Sequence, residues 1–76
     1  MESTTFLERF AEQFEETPAD QLTLNTNFRE LEEWDSMAVL TIIAMVDSFY
    51  GVKLTGDEIR SSLTIGDIFN KVESKL

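Results

Sequence analysis

In every segment of this 76-residue chain that has a period, the apolar residues recur at helical spacing, and no segment alternates as a half-buried strand does. Small size turns that pattern into a constraint. A domain of this length buries only about 60% of the surface its unfolded chain exposes. With no cysteine, no disulfide can brace the core. Each striped helix therefore needs a neighbour. The arrangement that serves all of them is all-α: a small antiparallel four-helix bundle, three longer helices and one short one, with a long ordered loop between the first two. One domain over residues 1–76 is expected.

The first helix is expected from Thr5, where Thr5 and Glu8 match a T-x-x-E capping box. Phe6, Leu7, Phe10, Ala11 and Phe14 form its apolar stripe, and Thr17-Pro18 stops it, because a residue before proline is pushed out of the helical region. Residues 18–35 have no clear period, but Leu22, Leu24, Phe28, Leu31 and Trp34 look like pegs that pin an ordered loop over the helices. The second helix runs from about Ser36 to Tyr50, and Gly51 supplies the left-handed residue that ends it.

Projection of this second helix separates two faces. Val39, Ile42, Ile43, Val46, Phe49 and Tyr50 are expected in the core. Met37, Thr41, Ala44 and Ser48, with Leu40 and Asp47 beside them, form a mild second face, which either meets a partner or packs on the preceding loop. After the extended link Val52-Lys53-Leu54, a box at Thr55 and Glu58 opens a helix of about two turns that ends near Ser61 or Ser62. A third box, Thr64-Ile65-Gly66-Asp67, opens the last helix. This helix turns Ile65, Ile68, Phe69, Val72 and Leu76 inward and carries Lys71 and Lys75 at the negative end of its dipole.

Charge narrows the function classes. Fifteen acidic and six basic side chains give a net charge of −9, which repels phosphate backbones and anionic lipid and attracts basic protein surfaces. The N-terminus lacks the basic and apolar regions of a secretory signal, and no apolar stretch is long enough to span a bilayer. A soluble cytoplasmic protein with no nucleic-acid partner and no membrane insertion is expected.

The absence of histidine removes the commonest general base and the commonest metal ligand. No G-x-S-x-G elbow surrounds Ser36, and the neighbouring Asp35 is a poor base for a serine, so a hydrolase is not expected. Glu30, Glu32, Glu33 and Asp35 lack the spacing of a calcium loop and read as a solvated acidic face. The three glycines are too far apart to cradle phosphate. That leaves Ser36, a hydroxyl at the mouth of the long helix. It is either an ordinary N-cap or an attachment point for a group the chain cannot make itself.

Asp35-Ser36-Met37 at the start of the second helix resembles the D-S-L of the acyl carrier proteins and their peptidyl and D-alanyl relatives. The resemblance extends over Phe28-Arg29-Glu30-Leu31, the exit Phe49-Tyr50-Gly51-Val52-Lys53-Leu54, and Thr64-Ile65-Gly66-Asp67-Ile68. It implies a single carrier domain, monomeric and not itself an enzyme. Ser36 would be esterified with 4′-phosphopantetheine, taken from coenzyme A by a phosphopantetheinyl transferase. The thiol of that arm would carry acyl intermediates as thioesters between partner enzymes. It further implies that Asp35 assists modification and that Met37, Thr41 and Ala44 form the partner-recognition face. The implied partners are an acyl- or aminoacyl-loading ligase and the synthase or transferase enzymes of a pathway.

Carriers of bacterial fatty-acid synthesis usually place several acids on the second helix, whereas Ala38, Thr41 and Ser48 stand at such positions here and only Asp47 is acidic. That departure points towards specialised pathways, fatty-acid-like or polyketide, with a D-alanyl or peptidyl carrier as the alternative. An acidic adaptor without a prosthetic group and a weak divalent-ion sensor are the more remote readings.

Overall fold

Four helices form where the apolar stripes lie: α1 Ser3–Ala11, α2 Ser36–Tyr50, α3 Gly56–Arg60 and α4 Ile65–Ser74, with no strand. The computed structural model describes every residue from Met1 to Leu76. α1 packs on α2 and α4, and α3 packs on the same two helices, which closes a small bundle. Its centre is made of Phe6 and Phe10 from α1, Ile42 and Val46 from α2, Ile59 from α3, Ile65, Ile68 and Val72 from α4, and Phe28 from the long loop. No helix is long and apolar enough to cross a membrane.

The two boxes in the second half of the chain form as the sequence implies. Thr55 Oγ1 accepts from Glu58 N at 3.1 Å while the Glu58 carboxylate accepts from Thr55 N at 3.0 Å. At α4, Thr64 Oγ1 accepts from Asp67 N at 3.2 Å, and the Asp67 carboxylate accepts from both Leu63 N and Thr64 N. These N–H groups hold the Asp67 carboxyl below the usual aspartate range, with Leu63 the leading cause. Glu58 is likewise lowered, first by its hydrogen bond from Lys75 and then by the one from Thr55. Gly51 ends α2 at φ 66°, a conformation that costs a side-chain-bearing residue energy but not glycine.

Five expectations need correction. The Thr5–Glu8 box does not form, because α1 begins earlier, at Ser3, and both residues lie inside it. α1 also ends well before Pro18, at Ala11: Gln13 Nε2 takes the Arg9 carbonyl, while Gln13 N and Phe14 N take those of Phe10 and Ala11, satisfying the last turn there. Phe49 aligns with Ile42 on the helix but is 54% exposed, because α1 presents Arg9 at that level and its guanidinium lies 4.0 Å from the ring centroid. Ala38 and Met45 take places in the core instead, and Leu76 is exposed.

The fifth correction concerns α3, which has five residues instead of two full turns. Its Glu58 carbonyl is taken early by Ser61 Oγ, Ser62 Oγ and Lys71 Nζ. The ammonium groups of Lys71 and Lys75 thus reach across to α3 and to the Lys53 carbonyl, not to the end of their own helix.

The loop is pegged as expected. Leu22 and Phe28 are buried, and Leu24, Leu31 and Trp34 pack against the core. Two short 3₁₀ turns, Ala19–Gln21 and Phe28–Glu30, give it local order. It docks on α4 through backbone: the Leu24 carbonyl accepts from Gly66 N at 2.8 Å and the Thr26 carbonyl from Ile65 N at 3.0 Å. A Cβ on Gly66 would stand 2.8 Å from Leu24 O, so the approach requires glycine.

Candidate functional site

The mouth of α2 is set by residues on either side of Ser36. Asp35 is the N-cap: its backbone is extended and its carboxylate accepts from Ala38 N at 2.9 Å. Ser36 is therefore the first residue inside the helix and not its cap. It is exposed, and its hydroxyl has no hydrogen-bond partner in the protein. The N–H groups of Ser36 and Met37 likewise find no acceptor. A hydroxyl so placed can be esterified without breaking any bond that holds the fold, and the open N–H groups at the positive end of a helix dipole suit a phosphate diester.

The segment before the site is locked to α1. Trp34 lies nearly parallel to Phe10, with centroids 6.3 Å apart, and meets Phe28 edge-on at 4.6 Å. Glu33 works as a clasp: its carboxylate accepts from Glu15 N and Glu16 N and from the Thr17 hydroxyl. Glu33 and Asp35 are thus engaged side chains within a stretch that reads from sequence as a solvated face, while Glu30 and Glu32 are exposed. No cluster of acids is arranged to hold a metal ion.

Beyond Ser36, α2 turns its mild face outward. Met37 and Leu40 are 64% and 60% exposed, Ala44 and Ser48 are exposed, and Thr41 is half-buried with its hydroxyl on the Met37 carbonyl at 3.0 Å. These positions follow one another at helical spacing, so they form one strip that starts next to Ser36. The preceding loop, the alternative cover left open by the sequence, leaves Met37, Leu40, Ala44 and Ser48 exposed; only at Met37 and Thr41 does the face border a cavity shared with Phe14 and Glu33. Asp47, the one acid on the helix, pairs with Lys53 at 2.7 Å.

On another side lies a groove of about 390 Å³ between the loop, α2 and α3, lined by Phe28, Arg29, Trp34, Val39, Ile59 and Arg60. Sequence reasoning did not single out Arg29 or Arg60 here. The available signal was composition: these are two of only three arginines in a strongly acidic chain.

A profile of the family described as "Phosphopantetheine attachment site" matches residues 4–72. Over 50 residues, 66% of the chain, the sequence is 31% identical to an acyl carrier protein of Beutenbergia cavernae. The matched stretch covers 61% of that relative's length. No solved structure matches.

Proposed function

We propose, from the premise that this chain belongs to the phosphopantetheine attachment family, that it is an acyl carrier loaded on Ser36. Acyl carrier proteins of this family carry 4′-phosphopantetheine covalently attached, and family members work with transferases and synthases. The observation that supports Ser36 best is its hydroxyl: exposed, without a partner, and relieved of capping by Asp35. In the proposed reaction Ser36 Oγ gives its proton to a base of the phosphopantetheinyl transferase and forms a new bond to the phosphorus that bears the pantetheine arm. The pyrophosphate bond of coenzyme A breaks, and adenosine 3′,5′-bisphosphate leaves. When bound, the arm supplies a thiol that carries acyl groups as thioesters, which accords with a chain that has no cysteine.

The residues of the chain itself orient and present. Asp35 keeps the helix mouth formed, Glu33 and Trp34 fix the segment that leads to it, and the unpartnered N–H groups of Ser36 and Met37 favour the phosphate. Any help that Asp35 gives to modification adds to its capping. Met37, Thr41 and Ala44, with Leu40, form the strip that partner enzymes recognise. Because Asp47 is tied to Lys53 and the strip is uncharged, contact there is apolar, which favours the enzymes of a specialised pathway over those of ordinary fatty-acid synthesis. The carrier works in the cytoplasm as a monomer of one domain, and catalysis belongs to its partners.

Incubation with coenzyme A and a broad-specificity phosphopantetheinyl transferase tests this by intact mass. One added arm is expected on the wild type and none on Ser36→Ala. A wild type left unmodified by several transferases contradicts the carrier reading and favours an acidic adaptor.

A further inference from the structure

We propose that the groove beside Ser36 receives a cargo that itself ends in a carboxylate: an acyl chain lying on Phe28, Trp34, Val39 and Ile59, with its terminal carboxylate between Arg29 and Arg60. The proposal rests on the carrier reading and names its class of cargo. The groove adjoins the attachment point, since Val39 lies one turn after Ser36 on the same side of α2 and Trp34 two residues before it. Its volume, about 390 Å³, falls within the range of small-ligand sites, and its apolar floor with few polar groups is their usual make-up.

The cations at its edge are the selective element. The other cationic side chains do not line the groove: Arg9 lies over the Phe49 ring, Lys53 pairs with Asp47, Lys71 binds the Glu58 carbonyl, and Lys75 pairs with Glu58. Arg29 lines the groove and has no acidic partner; one of its guanidinium nitrogens donates to the Arg60 carbonyl. Arg60 pairs with Asp57 at 2.8 Å, but the Asp57 side chain is 92% exposed, so solvent screens that pair and a ligand can compete for it. A neutral chain gains nothing from two guanidinium groups at the groove edge, whereas a carboxylate is attracted by both. The tether raises the local concentration of the cargo, so a weak contact suffices.

The test loads wild type, Arg29→Gln and Arg60→Gln with adipyl and with hexanoyl, each joined to the arm by a hydrolysis-resistant amide. It reads thermal melting and the NMR signals of the two guanidinium groups. In the wild type, the adipyl form is expected to melt about 4–8 °C above the hexanoyl form and to shift both arginine signals. Either glutamine variant should lose most of that difference. Equal melting with unmoved signals overturns the proposal, and so does an arm without cargo that shifts the arginines as much, since they would then be reading its phosphate. A chain that accepts no arm at all defeats the carrier reading and this inference together, whereas an arm accepted with no adipyl–hexanoyl difference defeats the inference alone.

Discussion

The entrances to α2 and α4 begin from similar material and end in opposite states. At α4 every early N–H is used: Ile65 N and Gly66 N bind loop carbonyls, Asp67 N binds the Thr64 hydroxyl, and the Asp67 carboxylate closes back on Leu63 and Thr64. At α2 the Asp35 carboxylate satisfies Ala38 N, and the N–H groups of Ser36 and Met37 stay open beside a free hydroxyl. Orphan N–H groups at a helix start are either closed by the fold or left for something outside it. The closed entrance serves architecture, because it pins the long loop across the bundle. That loop carries Trp34 to α1 and Glu33 to the segment that follows it, and so sets where the open entrance stands.

The contrast can be broken at several points. The largest effect is expected from Gly66→Ala, whose Cβ would press on the Leu24 carbonyl and force loop and helix apart. A loss of roughly 1–3 kcal/mol should appear in denaturant unfolding, and an unchanged midpoint would mean that the closed entrance is looser than described. Next come the two caps. Asp35→Ala and Thr64→Ala should each cost about 0.5–2 kcal/mol. If Asp35→Ala costs nothing, Ser36 is not free of capping after all.

Acid should act at the closed entrance. The folded-state pKa of Asp67 is lowered by the N–H groups of Leu63 and Thr64, so its contribution is fully present above about 3.9, where an unfolded aspartate ionises. It fades as pH falls from there through the lower folded value. Asp67→Asn should therefore flatten the acid limb of melting temperature against pH, and an equally steep limb would remove Asp67 as a cause. The smallest effect is expected from Ser36→Ala: within about 0.5 kcal/mol of wild type, as for a surface position without partners. A larger loss would show a structural role for the hydroxyl.

Local chemistry was legible in the sequence where its partners lie within a few residues. The boxes at Thr55–Glu58 and Thr64–Asp67 formed, and so did the Gly51 stop. The same pattern at Thr5–Glu8 failed, because four residues fit the middle of a helix as well as its start and nothing local told the two apart. The Ser36 hydroxyl read as a possible N-cap, and only the bond from Ala38 N gives that role to Asp35. The Glu33 clasp, the arginines of the groove and the exposure of Phe49 all depend on neighbours distant in the chain, for which periodicity carries no signal. The exposed strip at Met37, Leu40 and Ala44 was readable as a face; that the loop leaves it uncovered was not.

In the carrier reading, the open entrance at Ser36 is there to be covalently occupied. Peptide mapping of the protein purified from cells in which its pathway is active addresses it most directly. A phosphopantetheine arm is expected on the fragment that contains Ser36 and on no other serine; an unmodified Ser36 fragment, or an arm found elsewhere, would contradict the carrier reading.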